Sequence, residues 1–208
     1  MCRFTAFDDS QKLIAQLRCA ADHAPASLAA IWSGDDGETW GKPVCCVPAS
    51  GYYVTNNDRI IRLQNGRLLV PAAFHRTRDG QDGQVTFSSF GTVIIFFSDD
   101  DGRTWSESTA CGITARCSRS GLQEPGVIEL KNGLLYAWAR TDLGVQYELF
   151  SADGGATWSA AQPSRFSSPC SPLSMKTDPQ TGNLIALWNP IPEYITRRKP
   201  QNTWNGGR

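Results

Sequence analysis

Histidine is scarce in this chain of 208 residues: His23 and His75 are the only two. No C-x-x-C pair occurs among the cysteines Cys2, Cys19, Cys45, Cys46, Cys111, Cys117 and Cys170. Together these absences argue against a zinc site. An odd, scattered set of cysteines also suits reduced thiols better than a disulfide scaffold. Net charge is missing too. Lys plus Arg number 20 and Asp plus Glu 20, for a formal charge of +0, which removes the electrostatic case for nucleic acid. No apolar run approaches membrane-spanning length. The first residues, MCRFTAFDDSQKL, lack the charged-then-apolar layout of a signal peptide. The expectation is a cytoplasmic chain as it stands, or a secreted one if a leader precedes it.

What is present is glycine, at 19 residues, with 10% aromatics and only 19% charged residues. That mixture suits a β-rich, turn-rich globule, and the length suits one domain with a real core. One octapeptide pattern, S-x-D-x-G-x-T-W, occurs at Ser33–Trp40, Ser98–Trp105 and Ser151–Trp158. Each copy follows an apolar run. The Asp carboxylate can accept backbone N–H groups inside its own turn, and Ser and Thr hydroxyls can do the same. Trp then buries a large apolar face. These are structural roles, and none of them is catalytic.

The segment Gly121–Trp158 reads as a complete unit around one copy. Val127–Leu130 and Leu134–Ala139 are strands joined by the hairpin signal Asn132-Gly133. Tyr147–Phe150 is a third strand leading into the motif. The same order recurs earlier, with Arg59–Leu63, Asn65-Gly66, Arg67–Phe74 and Thr92–Phe97. Residues His75–Gln84 are polar and glycine-rich, which predicts a loop. A further echo, Ser174–Trp188 with Gly182 at its turn, opens another unit. A period near fifty with four strands per unit is the pattern of a β-propeller. At the N-terminus, Ser10–Cys19 predicts a short helix with Leu13, Ile14 and Leu17 on one face and Ser10 as its cap.

Overlaying the repeats puts Asn57 and Glu124 at the same place, just before the innermost strand, hence on the rim of the channel. Arg140 ends the returning strand and comes back to that rim. An Arg beside a Glu at a concave mouth suits an anionic sugar, because guanidinium pairs with carboxylate through two parallel bonds. A structural ion pair between strand ends is the alternative.

The octapeptide resembles the Asp box, or BNR repeat, of the sialidase (neuraminidase) superfamily, and the resemblance runs from about Asp22 to about Trp188. It implies an all-β, sialidase-type propeller that is incomplete here, with about four of the family's six blades. Residues 1–208 are then one domain, with an atypical segment 1–21 and an irregular tail 190–208. The segment from Glu124 through Arg140 is similar to the family's E-x-x-x-x-E-L-x-[DN]-G stretch and its following Arg. The resemblance implies exo-hydrolysis of terminal sialic acid from glycoconjugates, without metal or organic cofactor. Glu124 would activate a tyrosine nucleophile, and Arg140 would clamp the substrate carboxylate. Arg198 loosely fits a second clamp, and Asp22 stands where the family's general acid/base does, though a turn aspartate beside Pro25 reads equally well. Glu129, within the strand, is assigned a packing or pairing role. The family's R-I-P segment has no match before Asp22, and Tyr194 lacks the pattern around the nucleophilic tyrosine. A non-catalytic glycan-binding or scaffolding propeller, or a hydrolase of another sugar, therefore stays open. An incomplete propeller also leaves sheet faces that partner chains or self-association would cover.

Overall fold

The computed structural model describes residues 3–6, 13–19, 27–47, 49, 51–79, 85–109 and 118–191. Its strands are β1 (Arg3–Ala6), β2 (Leu13–Cys19), β3 (Ser27–Ser33), β4 (Val44–Cys45), β5 (Tyr52–Val54), β6 (Ile61–Arg62), β7 (Leu68–Asp79), β8 (Val85–Ser98), β9 (Ser106–Glu107), β10 (Gln123–Glu129), β11 (Leu135–Arg140), β12 (Val145–Ser151), β13 (Gln162–Ser167), β14 (Ser174–Thr177) and β15 (Leu184–Leu187). They form antiparallel sheets in chain order. The first is β1-β2-β3-β4, the second β5-β7-β8-β9 with β6 also on β7, the third β10-β11-β12-β13, and the last β14-β15. We call these blades A, B, C and the hairpin D. The fold is an all-β, incomplete propeller.

Two local expectations are corrected. Ser10–Cys19 does not supply a helix over its described part, because Leu13–Cys19 is strand β2, paired along its whole length with β3. Pairing with β3 overrode a weak helical spacing. Residues 75–79 are likewise strand rather than loop, since β7 runs through Asp79 against β8.

The motif turns sit alike in all three blades, between the third strand and the fourth. Each is a closed hydrogen-bond clasp. In the third copy Ser151 Oγ donates to Asp153 Oδ1 at 2.8 Å, and the Gly155 N–H donates to Ser151 Oγ at 2.9 Å. The N–H and hydroxyl of Thr157 donate to the two oxygens of Asp153, and Trp158 Nε1 closes onto the Gly155 carbonyl. The same set recurs around Asp35 and Asp100. The bonds from the Thr hydroxyls, chiefly, hold all three carboxyls down to about 2. The fifth-position glycine has positive φ in each copy, and at Gly102 a Cβ would also lie 2.1 Å from the Trp32 ring of blade A.

The cores lie between blades. Leu28, Ala30, Tyr53, Leu68, Val70 and Phe96 join A to B. Leu69, Val93, Ile95, Leu135, Leu149 and Trp158 join B to C. Ile128, Trp138, Leu173 and Met175 join C to D. Adjoining sheets thus bury each other's faces. Near the channel, backbone meets backbone: Gly91 N–H donates to the Ser120 carbonyl, and Leu122 N–H to that of Gly91, both at 2.8 Å. A Cβ on Gly121, at φ +62, would lie 2.2 Å from the Gly91 oxygen.

Candidate functional site

The register of blade C separates its two ends. Leu135 pairs with Ser151 at the motif end, and Arg140 pairs with Gln123 at the opposite end. The pairing slips between Gln123 and Gly126, a bulge that contains Glu124-Pro125. Glu124 has φ +49, a conformation that a non-glycine residue adopts at a cost of about 1–3 kcal/mol. The bulge turns its carboxylate onto Arg140, whose Nε donates to Glu124 Oε2 at 2.6 Å. Both side chains are about one-fifth exposed, at 19% for Arg140 and 23% for Glu124. The pair is therefore partly open to solvent.

Arg140 is also held by Cys170, through Nη1 to the sulfur at 2.9 Å and to the carbonyl at 3.3 Å. Burial pushes the Cys170 thiol up, with Arg140 opposing, so a neutral thiol faces the cation. Nearby stands a second carboxylate, Asp142. Burial alone would raise it, but hydrogen bonds from Ser118 Oγ at 2.7 Å, the Arg119 N–H at 3.0 Å and Ser120 outweigh burial and hold it below its usual value. His75 is buried with Nδ1 2.9 Å from the Ser88 carbonyl; burial lowers its pKa and the charge of Arg140 lowers it further. Its imidazole is held toward the neutral form.

Arg59 crosses the blades. It is 6% exposed, donates from Nη2 to the carbonyl of Leu173, just before D, at 2.8 Å, and lies 5.5 Å from the Trp138 ring of C. Trp138 Nε1 donates to the same carbonyl at 2.7 Å. Burial lowers the pKa of Arg59, and Glu124 and Asp58 supply the opposing negative charge. Gly126 makes room for this crossing.

The structure thus brings Glu124 and Arg140 together. Asn57 lies on an exposed turn and makes no hydrogen bond to either among the described residues. Asp22 and Arg198 lie outside the described residues, as does Tyr194. Glu129 reaches into blade B, where its Oε2 accepts the Gln64 N–H at 2.8 Å. Sequence reasoning missed Asp142, Cys170, His75 and Arg59. Asp142 follows Arg140 by two residues and could have been found on that ground. The other three come from distant segments that only the fold gathers.

Three Asp-box turns in successive blades, with a partly exposed arginine–carboxylate pair at the opposite end of blade C, define an Asp-box propeller. The BNR repeat-like domain model matches residues 10–201, so the chain belongs to that family. It is 32% identical over 127 residues to a sialidase of Vibrio cholerae, covering 54% of this chain and 15% of that protein. It is 30% identical over 142 residues to Sialidase-4 of Mus musculus, covering 64% and 28%. The chain therefore spans less than a third of these curated relatives. Among solved structures, the Hadza microbial sialidase Hz136 superposes with a TM-score of 0.55 at 21% identity, over 79% of this chain and 33% of that one. An exo-inulinase from Aspergillus awamori superposes at 0.52 with 12% identity, over 88% and 42%. At such identities the likeness concerns the fold.

Proposed function

We propose that this chain carries part of the active site of an exo-α-sialidase, a glycoside hydrolase that releases terminal sialic acid from glycoconjugates. One observation carries the reading: Arg140 is locked to Glu124 at 2.6 Å on the end of blade C opposite the motif turn. In this proposal Arg140 clamps the sugar carboxylate, with Arg198 as a second clamp and Asn57 as a rim contact. Glu124 accepts the proton of a tyrosine hydroxyl as its oxygen attacks the anomeric carbon. The leaving glycan oxygen takes a proton from Asp22, and water later releases the sugar from the tyrosyl intermediate. This chemistry asks for no metal and no organic cofactor.

A second reading is a glycan-binding propeller without turnover. It is favoured by the partner that Glu124 has here, which is the guanidinium of Arg140 rather than a tyrosine hydroxyl. The test is a fluorogenic sialoside assay run beside titration with N-acetylneuraminate. Turnover that Glu124→Gln abolishes supports hydrolysis. Binding without turnover rejects it and leaves the glycan-binding reading. Neither binding nor turnover rejects both for this chain. We expect binding with weak turnover at most, since the R-I-P arginine and a patterned tyrosine are not found in the sequence.

A further inference from the structure

Arg140 is gripped from two sides, and the two grips differ in kind. Glu124 supplies charge at Nε, whereas Cys170 supplies a sulfur and a carbonyl at Nη1 without any charge. Nη2 is the corner left without a hydrogen bond among the described residues. Cys170 adopts φ +36, a conformation uncommon for a residue with a Cβ, and it does so where its side chain and carbonyl both meet the guanidinium. It is buried, and Asp142 nearby is fastened to Ser118, Ser120 and the Arg119 N–H. A carboxylate in the place of Cys170 would give Arg140 a second anionic partner beside Glu124. A neutral sulfur orients the guanidinium without adding one.

We propose that Cys170 is the positioning residue of the anion clamp, fixing the guanidinium plane of Arg140 so that the Nη2 corner faces a ligand carboxylate. This rests on the reading of Arg140 as a carboxylate clamp. Two measurements separate the claims. One is nitrogen-15 NMR of guanidinium rotation at Arg140 in the ligand-free chain, and the other is calorimetric titration with N-acetylneuraminate. Cys170→Ala should speed the rotation and weaken binding about 3–10-fold, the size of one hydrogen bond's net contribution. Cys170→Ser, which restores an acceptor, should bring both back toward wild type. Thermal midpoints of the variants show whether the fold is kept, and Cys170→Gly, which relaxes the backbone, replaces any variant that fails. Wild-type binding that Cys170→Ala leaves unchanged, with unchanged rotation, overturns the proposal alone. A wild-type chain that does not bind N-acetylneuraminate overturns the clamp reading and this proposal with it.

Discussion

Blade C and hairpin D begin in the same way and end in opposite environments. In each, an inner strand turns back through a short hairpin, and the first four residues of β11 match those of β15 in register. Trp138, fourth in β11, is 1% exposed, whereas Leu187, fourth in β15, is 75% exposed. Tyr136 is buried, while its counterpart Ile185 is 60% exposed. Both strands are apolar, so composition does not make the difference. β11 is covered by β12 and by the neighbouring cores, but β15 has β14 on one edge and nothing described on the other. Burial in a propeller is thus a property of the neighbours and not of the strand. Among the described residues, the exposed large apolar side chains, Leu184, Ile185 and Leu187, all lie on this one strand.

The largest expected contrast follows directly. Trp138→Ala should destabilise the chain by about 3–5 kcal/mol, while Leu187→Ala should stay within about 0.5 kcal/mol. Chemical denaturation of the two variants checks this, and equal midpoints would erase the distinction. A second contrast lies one strand inward. A Cβ on Gly126 would sit 2.3 Å from the Trp138 ring and 2.9 Å from Arg59, whereas Ser174 holds the corresponding place in D. Gly126→Ala should therefore cost about 1–3 kcal/mol by overpacking, read from the same denaturation curves.

Acid should also open the same clasp in all three blades. The folded carboxyls of Asp35, Asp100 and Asp153 sit near 2, below their ordinary value of 3.8. Their contribution to stability is therefore complete above about pH 4 and is lost as pH falls toward 2. Asp178 in the D hairpin is lowered too, by a hydrogen bond from Thr181, so D shares the trend with a smaller clasp. Amide exchange followed from pH 5 to pH 2 should show the motif turns opening in that window. In Asp153→Asn the third turn should lose most of this pH dependence, and an unaltered profile would refute the clasp as its source.

The smallest expected effect on stability belongs to the open edge. Ile185→Lys should leave the unfolding midpoint nearly unchanged, because the residue contributes little burial here. It should lower any self-association through β15, since an edge charge opposes strand pairing. Sedimentation velocity over a range of concentrations is the check. Association equal to wild type would move the contact elsewhere.

Sequence alone determined the repeat, the motif turns and one half of the site. S-x-D-x-G-x-T-W encodes its own hydrogen bonds within eight residues, so its geometry is local and legible. Glu124 and Arg140 were legible because the hairpin at Asn132-Gly133 folds them back onto each other within one blade. The short helix expected at Ser10–Cys19 was misread because apolar spacing over ten residues cannot tell a helix face from a strand awaiting partners. Tertiary structure alone decided that Arg59 would cross from blade B to the Leu173 carbonyl just before D, that Gly126 would leave it room, and that Cys170 would close on Arg140. These contacts join segments 30 or more residues apart in sequence, the longest spanning 114. No local pattern records them, because they exist only once neighbouring sheets have buried one another's faces.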